Sequence, residues 1–255
     1  MILLHRITPF LVLSVGFAAF LPLILTDSGY GFLVFLLCAV LIGVFLLRLL
    51  NAEYKTVAFW FFLGTPLMLL VSSVGYYLFL ENVVAQWSLA VFVGLALFFY
   101  AEHLFHYHHL PSRYQPYTLE YLSVIFHVIT LFFLSVIGFG GHMFLHLPVW
   151  FLGCALLVIS FFMIHGILWV SKVEQDEARI FALAGSVLVT ELFLVMTFLP
   201  VGFYTSATLL TIFFYCFLGM FRAHFAKKLT KGVARRYVLI SLLLFVMLVA
   251  SAQWT

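Results

Sequence analysis

A chain of 255 residues that is 66% hydrophobic and only 8% charged, with a mean hydropathy of +1.23, lies far from the roughly 25% charged usage of soluble domains. Soluble globular classes are thereby excluded. The formal charge of +3 arises from cations spread along the chain, which argues against nucleic acid and for the lipid bilayer as partner.

The apolar runs predict an all-α, polytopic transmembrane bundle, one integral membrane domain over residues 1–255. About 20 apolar residues cross a hydrocarbon core about 30 Å thick. Nine spans follow in chain order, roughly Ile7–Thr26, Tyr30–Leu47, Val57–Phe79, Val83–Ala101, Leu119–Phe139, Pro148–Val170, Ile180–Leu199, Phe203–Phe221 and Val238–Trp254. The first opens on His5-Arg6 like a signal peptide. It is longer than a signal core of about 7–15 residues, and Ala18-Ala19 lie inside it, so a retained helix is expected. Asp27-Ser28-Gly29 and Leu199-Pro200-Val201-Gly202 are predicted tight turns. Pro9, Pro22 and Pro66 lie in or near spans and predict kinks. Cys38, Cys154 and Cys216 fall within spans and read as small apolar residues. No internal repeat divides the chain into related halves.

The basic residues set the expected topology. Arg6 precedes the first span, Arg48 and Lys55 follow the second, Arg113 the fourth, and Lys172 and Arg179 the sixth. Arg222, Lys227, Lys228, Lys231, Arg235 and Arg236 follow the eighth. All twelve therefore share one side, and the connections around Asp27, Glu81, His142 and Val201 have none. Positive loops stay in the cytoplasm, which predicts an internal amino terminus, an external carboxyl terminus and a bacterial inner-membrane type of location. The basic group from Lys227 to Arg236 suits anionic lipid.

Polar residues inside the spans supply the candidate site. Glu120, Ser123, His127 and Thr130 recur at intervals of three and four, so they project within about 80° of one another on the fifth span. A similar stripe, Tyr204, Thr208, Thr211, Tyr215, Gly219 and Arg222, marks the eighth span and reads mainly as a packing seam. Glu191 on the seventh span is the costliest residue in the chain to place in lipid, at about 2.5–3.5 kcal/mol on insertion scales. It is expected inside the bundle, with His127 as partner and His165 of the sixth span at comparable depth.

The segment Glu102-His103-Leu104-Phe105-His106-Tyr107-His108-His109 concentrates four histidines. If the fourth helix continues, Glu102, His106 and His109 share a face, with His103 and Glu120 as further donors. A carboxylate with imidazoles suits Zn or Fe. His103-x-x-His106-x-His108-His109 resembles the histidine boxes of integral-membrane desaturases and hydroxylases, and that resemblance implies a di-iron centre on the cytoplasmic side. His142-Met143-Phe144-Leu145-His146 has the HxxxH form, but the topology puts it on the opposite side. Haem between His127 and His165 is not expected, because Phe126, Phe161 and Phe162 crowd those positions. No GxGxxG, Walker, GxSxG or HExxH arrangement is present, so nucleotide-driven and serine-hydrolase chemistry have no support.

Glu191, the stretch Phe198-Leu199-Pro200, Tyr204 and the terminal Ala252-Gln253-Trp254 together resemble uncharacterised polytopic bacterial membrane-protein families of unknown function. That resemblance implies no activity. Three functions remain open from the residues. The first is translocation or binding of a small molecule, ion or proton through Glu191, His127, His165, Glu120 and Thr130. The second is a metal-dependent membrane enzyme using the histidine-rich segment. The third is a noncatalytic subunit that assembles with a protein partner or with its own copies.

Overall fold

The structure is a computed structural model that describes residues 2–25, 30–50, 54, 56–115, 117–171, 173–225, 227 and 229–251. The predicted turn at Asp27-Ser28-Gly29, the cations Lys55, Lys172 and Lys228, and the terminal Ala252-Gln253-Trp254 lie outside the described residues. Among the described residues ten α-helices follow in order: α1 (Ile2–Ala18), α2 (Leu21–Leu25), α3 (Tyr30–Leu49), α4 (Val57–Tyr77), α5 (Val83–His109), α6 (Thr118–Leu145), α7 (Val149–Val170), α8 (Gln175–Met196), α9 (Phe203–Phe225) and α10 (Lys231–Ser251). A 3₁₀ turn at Pro111–Arg113 joins α5 to α6. Among the described residues, eight helical stretches are long and apolar enough to cross a membrane, the first formed by α1 and α2 together.

The sequence places the helices but not their ends. The apolar run of the first span is broken at Ala19-Phe20 and resumes in α2, where Pro22 occupies the second position. That position has no intrahelical acceptor for its N–H, so proline is tolerated there. Elsewhere the helices outrun the hydrophobic windows. α5 continues past Ala101 to His109, and α6 runs to Leu145 rather than Phe139. Backbone hydrogen bonding does not stop at the edge of an apolar run, and charged residues suit helix ends. Asp176 and Glu177 occupy the first turn of α8, and Arg222 and His224 the last turn of α9. The acidic pair and Arg222 match the helix dipole in sign. Thr56 and Asn82 cap α4 and α5, their side-chain oxygens accepting from Phe59 N–H at 3.3 Å and Val84 N–H at 2.8 Å.

The chain forms two compact units, Met1–Thr130 and Leu131–Thr255, with α6 contributing its first half to one and its second half to the other. In the first unit α1 lies antiparallel along α5. Phe10 meets Phe98, Phe17 meets Trp87, and His5 stacks on His109. Gly16 and Gly94 face each other at the crossing, where a Cβ on Gly16 would lie 3.6 Å from the Gly94 Cα. Small residues let helix backbones approach in a setting where lipid offers no hydrophobic incentive to associate. α3 packs on α1, α2, α4 and α5, burying Ile42 and Leu46.

In the second unit α7 and α8 pair antiparallel, and α9 and then α10 add alongside. Gly153 of α7 packs on Thr190 and Leu194, and Gly185 of α8 packs on Ile164 and on Phe217 of α9. α10 meets α9 where Gly219 receives the ring of Tyr237. Gly138 of α6 likewise receives the ring of Phe193.

Candidate functional site

The polar stripe of α6 faces the interior of the first unit. Ser123, His127 and Thr130 are buried and Glu120 is half-buried. The helical interval of three and four residues aligns them, and the packing of the unit brings Tyr100 of α5 and Phe61 and Thr65 of α4 to the same place. At the rim, the Tyr114 hydroxyl donates to Glu120 Oε2 at 2.9 Å and accepts from the Leu119 N–H at 3.2 Å. Burial pushes the Tyr114 hydroxyl up to about 12, and its bond to Glu120 adds to the effect.

Tyr114 yields the first prediction. A raised folded-state pKa means the protonated phenol is favoured by the fold, so its contribution is complete below about pH 10, the ordinary tyrosine value. That contribution is lost as pH climbs from about 10 to about 12. Thermal stability in detergent should therefore fall across this window in the wild type and fall less in Tyr114→Phe. Parallel curves for the two proteins would show that Tyr114 does not carry the effect.

One turn deeper, the Ser123 hydroxyl donates to the Leu119 carbonyl at 2.8 Å. Its single proton is thereby committed, so the Tyr100 hydroxyl, 3.5 Å away, is the donor of that pair. Thr65 is also within hydrogen-bonding reach of Tyr100 and gives its own proton to the Phe61 carbonyl at 2.8 Å. His127 Nδ1 lies 2.6 Å from the Ser123 carbonyl. A carbonyl only accepts, so Nδ1 carries the proton and Nε2 of the neutral ring carries a lone pair. The imidazole is held flat against Phe61, with ring centroids 5.5 Å apart and planes inclined by 5°. At the inner end, the buried Thr130 Oγ1 has no hydrogen-bond partner among the described residues. A buried polar group left unmatched costs about 1–3 kcal/mol, which marks the end of the stripe as a place for a further polar atom.

The remaining candidates are distributed differently. His127, Glu120 and Thr130 belong to the first unit, and His165 and Glu191 to the second. His165 is half-buried and stacks on Phe161 of its own helix, with centroids 5.9 Å apart. Glu191 was expected inside the bundle with His127 as partner; the two residues belong to different units. Glu191 is exposed, in line with the exposed Ile180, Leu183, Val187 and Val195, while the face packed on α7 carries Gly185, Thr190 and Phe193. Glu191 also stands six residues beyond Gly185, which packs on Ile164. That separates it from the level of His165 by about 9 Å along the axis. Periodicity places Glu191 one position beyond the packed face, and the choice of α7 as neighbour turns it outward.

The histidine-rich segment is helical to His109. Glu102 and His106 meet at 3.7 Å, one turn apart. His109 turns instead to α1, stacking on His5 with centroids 4.5 Å apart and planes at 27°. His5 Nδ1 and His109 Nε2 are buried without hydrogen-bond partners among the described residues. His103 is half-buried on the same helix. Sequence reasoning missed His5 as a neighbour of this segment. The signal was present in the basic start of the first span, which the predicted topology places on the same side as the loop. It also passed over Tyr114 and Tyr100, because aromatic residues are so common here that two hydroxyls do not stand out.

A family model described as "Protein of unknown function (DUF5656)" matches residues 54–251. The chain belongs to that family. Comparison with curated proteins and with solved structures returns no match.

Proposed function

We propose that this member of the family is a nine-span membrane protein with its amino terminus in the cytoplasm and its carboxyl terminus outside, and that it binds or conducts protons or small cations along the buried stripe of α6. The observation carrying this reading is the buried polar face of α6, on which Ser123, His127 and Thr130 follow Glu120 at helical intervals. Half-buried Glu120 connects to Tyr114 at the rim, and Ser123, Tyr100 and His127 follow inward to the unmatched hydroxyl of Thr130. His127 is the base of the path, because its Nδ1 proton is committed to a carbonyl and its Nε2 is the atom able to take a second proton. Intramembrane polar residues of this kind, facing a bundle interior, are the usual elements of proton relays.

The test is flux. Vesicles reconstituted with the protein and loaded with a pH-sensitive dye should dissipate an imposed pH gradient faster than protein-free vesicles. Thr130→Val, which keeps the shape and removes the hydroxyl, should slow that flux while leaving the protein assembled. Equal rates with and without protein, under gradients of either polarity, would end the proposal.

Topology has its own test, independent of flux. Reporters inserted between Glu102 and Thr118 or between Arg222 and Tyr237 should be cytoplasmic, and one fused after Trp254 should be external. A cytoplasmic reporter after Trp254 would remove the nine-span arrangement.

A second reading, membership of a larger assembly, is favoured by Glu191. Glu191 lies on an otherwise apolar exposed stripe and has no hydrogen-bonding neighbour among the described residues, so another chain would have to supply one. Native mass determination in mild detergent should then show a species heavier than the 29.1 kDa monomer, and Glu191→Leu should dissociate it. A third arrangement, a metal enzyme using Glu102, His103, His106 and His109, rests on the Glu102–His106 contact, and metal analysis of the purified protein tests it.

A further inference from the structure

The HxxxH segment that the stripe on α6 does not use lines a cavity of its own in the second unit. Its volume is about 360 Å³, and His142, Met143, His146, Met196, Thr197 and Ser206 are among its lining residues. The geometry points to a binding site for a soft monovalent metal ion, Cu(I), held by the imidazoles of His142 and His146 and by thioether sulfur from Met143 and Met196.

Three features of the local structure carry this. The first is the way α6 ends. Leu147 N–H donates to the Gly141 carbonyl at 3.2 Å, and His142 Nδ1 lies 3.0 Å from the Leu147 carbonyl. The carbonyl can only accept, so Nδ1 is the protonated nitrogen and the Nε2 lone pair is left for a ligand. A ligating histidine that donates its other ring N–H to a backbone carbonyl is the usual arrangement at metal centres, where that bond sets tautomer and ring orientation.

The second feature is the backbone of His146, which adopts φ of 51°. Left-handed geometry is uncommon for a residue with a Cβ, although histidine is among the side chains enriched there. Here it follows the last residue of α6, and His146 is among the residues lining the same cavity as His142. The residue separation alone does not ensure this, because His146 lies beyond the last helical residue, Leu145.

The third feature is the donor chemistry. The residues lining the cavity include two histidines and two methionines, with no acidic residue and no cysteine among them. Zn(II) sites draw on thiolate, imidazole and carboxylate, and Mg(II) and Ca(II) on oxygen. Thioether and imidazole together without anionic donors suit Cu(I), which is soft and carries a single charge. The cavity exceeds the roughly 30 Å³ of one water, leaving room for a donor ligand to deliver the ion. The topology proposed above places this mouth on the outer side, but the metal-binding inference does not depend on it.

The experiment uses the purified full-length protein in detergent, titrated against a chromogenic Cu(I) chelator under reducing conditions. One equivalent of Cu(I) should be withdrawn from the chelator. Met143→Leu and Met196→Leu conserve volume and should fold. Each, like His142→Ala, should weaken Cu(I) binding by about 10–100-fold, the scale seen when even a supporting group at a metal site is lost. His224→Ala, at a histidine on α9 that is not among the residues lining this cavity, should leave it unchanged. X-ray absorption of the Cu(I)-loaded protein should show both nitrogen and sulfur neighbours. Failure to compete with the chelator would overturn the inference. So would Cu(I) binding that persists in the Met143→Leu/Met196→Leu double variant, or that disappears in His224→Ala. Because this cavity and the α6 stripe share no residue, its failure would leave the flux proposal standing.

Discussion

Replacing His127 with alanine should destabilise the protein by about 2–4 kcal/mol, the range for removing a large buried side chain and leaving a cavity. The imidazole is 3% exposed and lies flat on Phe61, so its loss strips one face of that ring as well as the bond to the Ser123 carbonyl. Thermal unfolding in detergent measures this. His127→Gln separates the structural from the functional part. Its amide fills the place of Nε2 without a titratable nitrogen and keeps most of the side-chain volume against Phe61. His127→Gln should therefore assemble normally while losing vesicle proton flux by about two orders of magnitude, the lower end of what a positioned acid–base group contributes. Wild-type flux in His127→Gln would remove the histidine from the path even if the alanine variant unfolds.

The second large effect is expected at Gly185. A Cβ there would lie 2.8 Å and 2.9 Å from Cε1 and Cζ of Phe217 and 3.0 Å from Cδ1 of Ile164. Three helices, α7, α8 and α9, meet at that point, and a ring and a branched chain would both have to move. Overpacking of this kind costs about 1–3 kcal/mol, against which the gain in helix propensity from glycine to alanine, about 0.8–1.0 kcal/mol, acts in the opposite direction. Gly185→Ala should accordingly lower the unfolding temperature, and Gly185→Val should lower it further. Gly64→Ala is the matched control, because nothing lies within 4 Å of a Cβ at that position. It should be neutral or stabilising. Equal unfolding temperatures for Gly185→Ala and Gly64→Ala would show that α7, α8 and α9 do not meet as described.

The two glycines look alike in the sequence. Both sit inside long apolar runs, and nothing local distinguishes a glycine needed for close approach from one that is not. The α6 stripe was different, because Glu120, Ser123, His127 and Thr130 stand out against an apolar background and their spacing is the helical repeat itself. Their shared buried face in the first unit follows from that spacing. The helical continuation of α5 to His109 was likewise legible as the condition for putting Glu102, His106 and His109 on one face, and the Glu102–His106 contact follows from it. His109 departs to His5 because α1 lies alongside α5, which no pattern within α5 could reveal.

By itself the sequence determined that this is an all-helical chain with stretches long and apolar enough to cross a membrane, roughly where those helices fall, and that α6 has a polar face. These are local properties: apolar length sets a span, and a 3.6-residue period sets which side chains share a face. Only the tertiary structure decided which neighbour each face meets. It turned Glu191 outward, gave Tyr100 and Phe61 to the α6 stripe, and gathered Met196 with His142 and His146 around one cavity. The physical reason is that helix association depends on steric fit between residues distant in the chain. In a medium as apolar as the side chains themselves, small residues and interhelical polar contacts govern that fit more than hydrophobicity does.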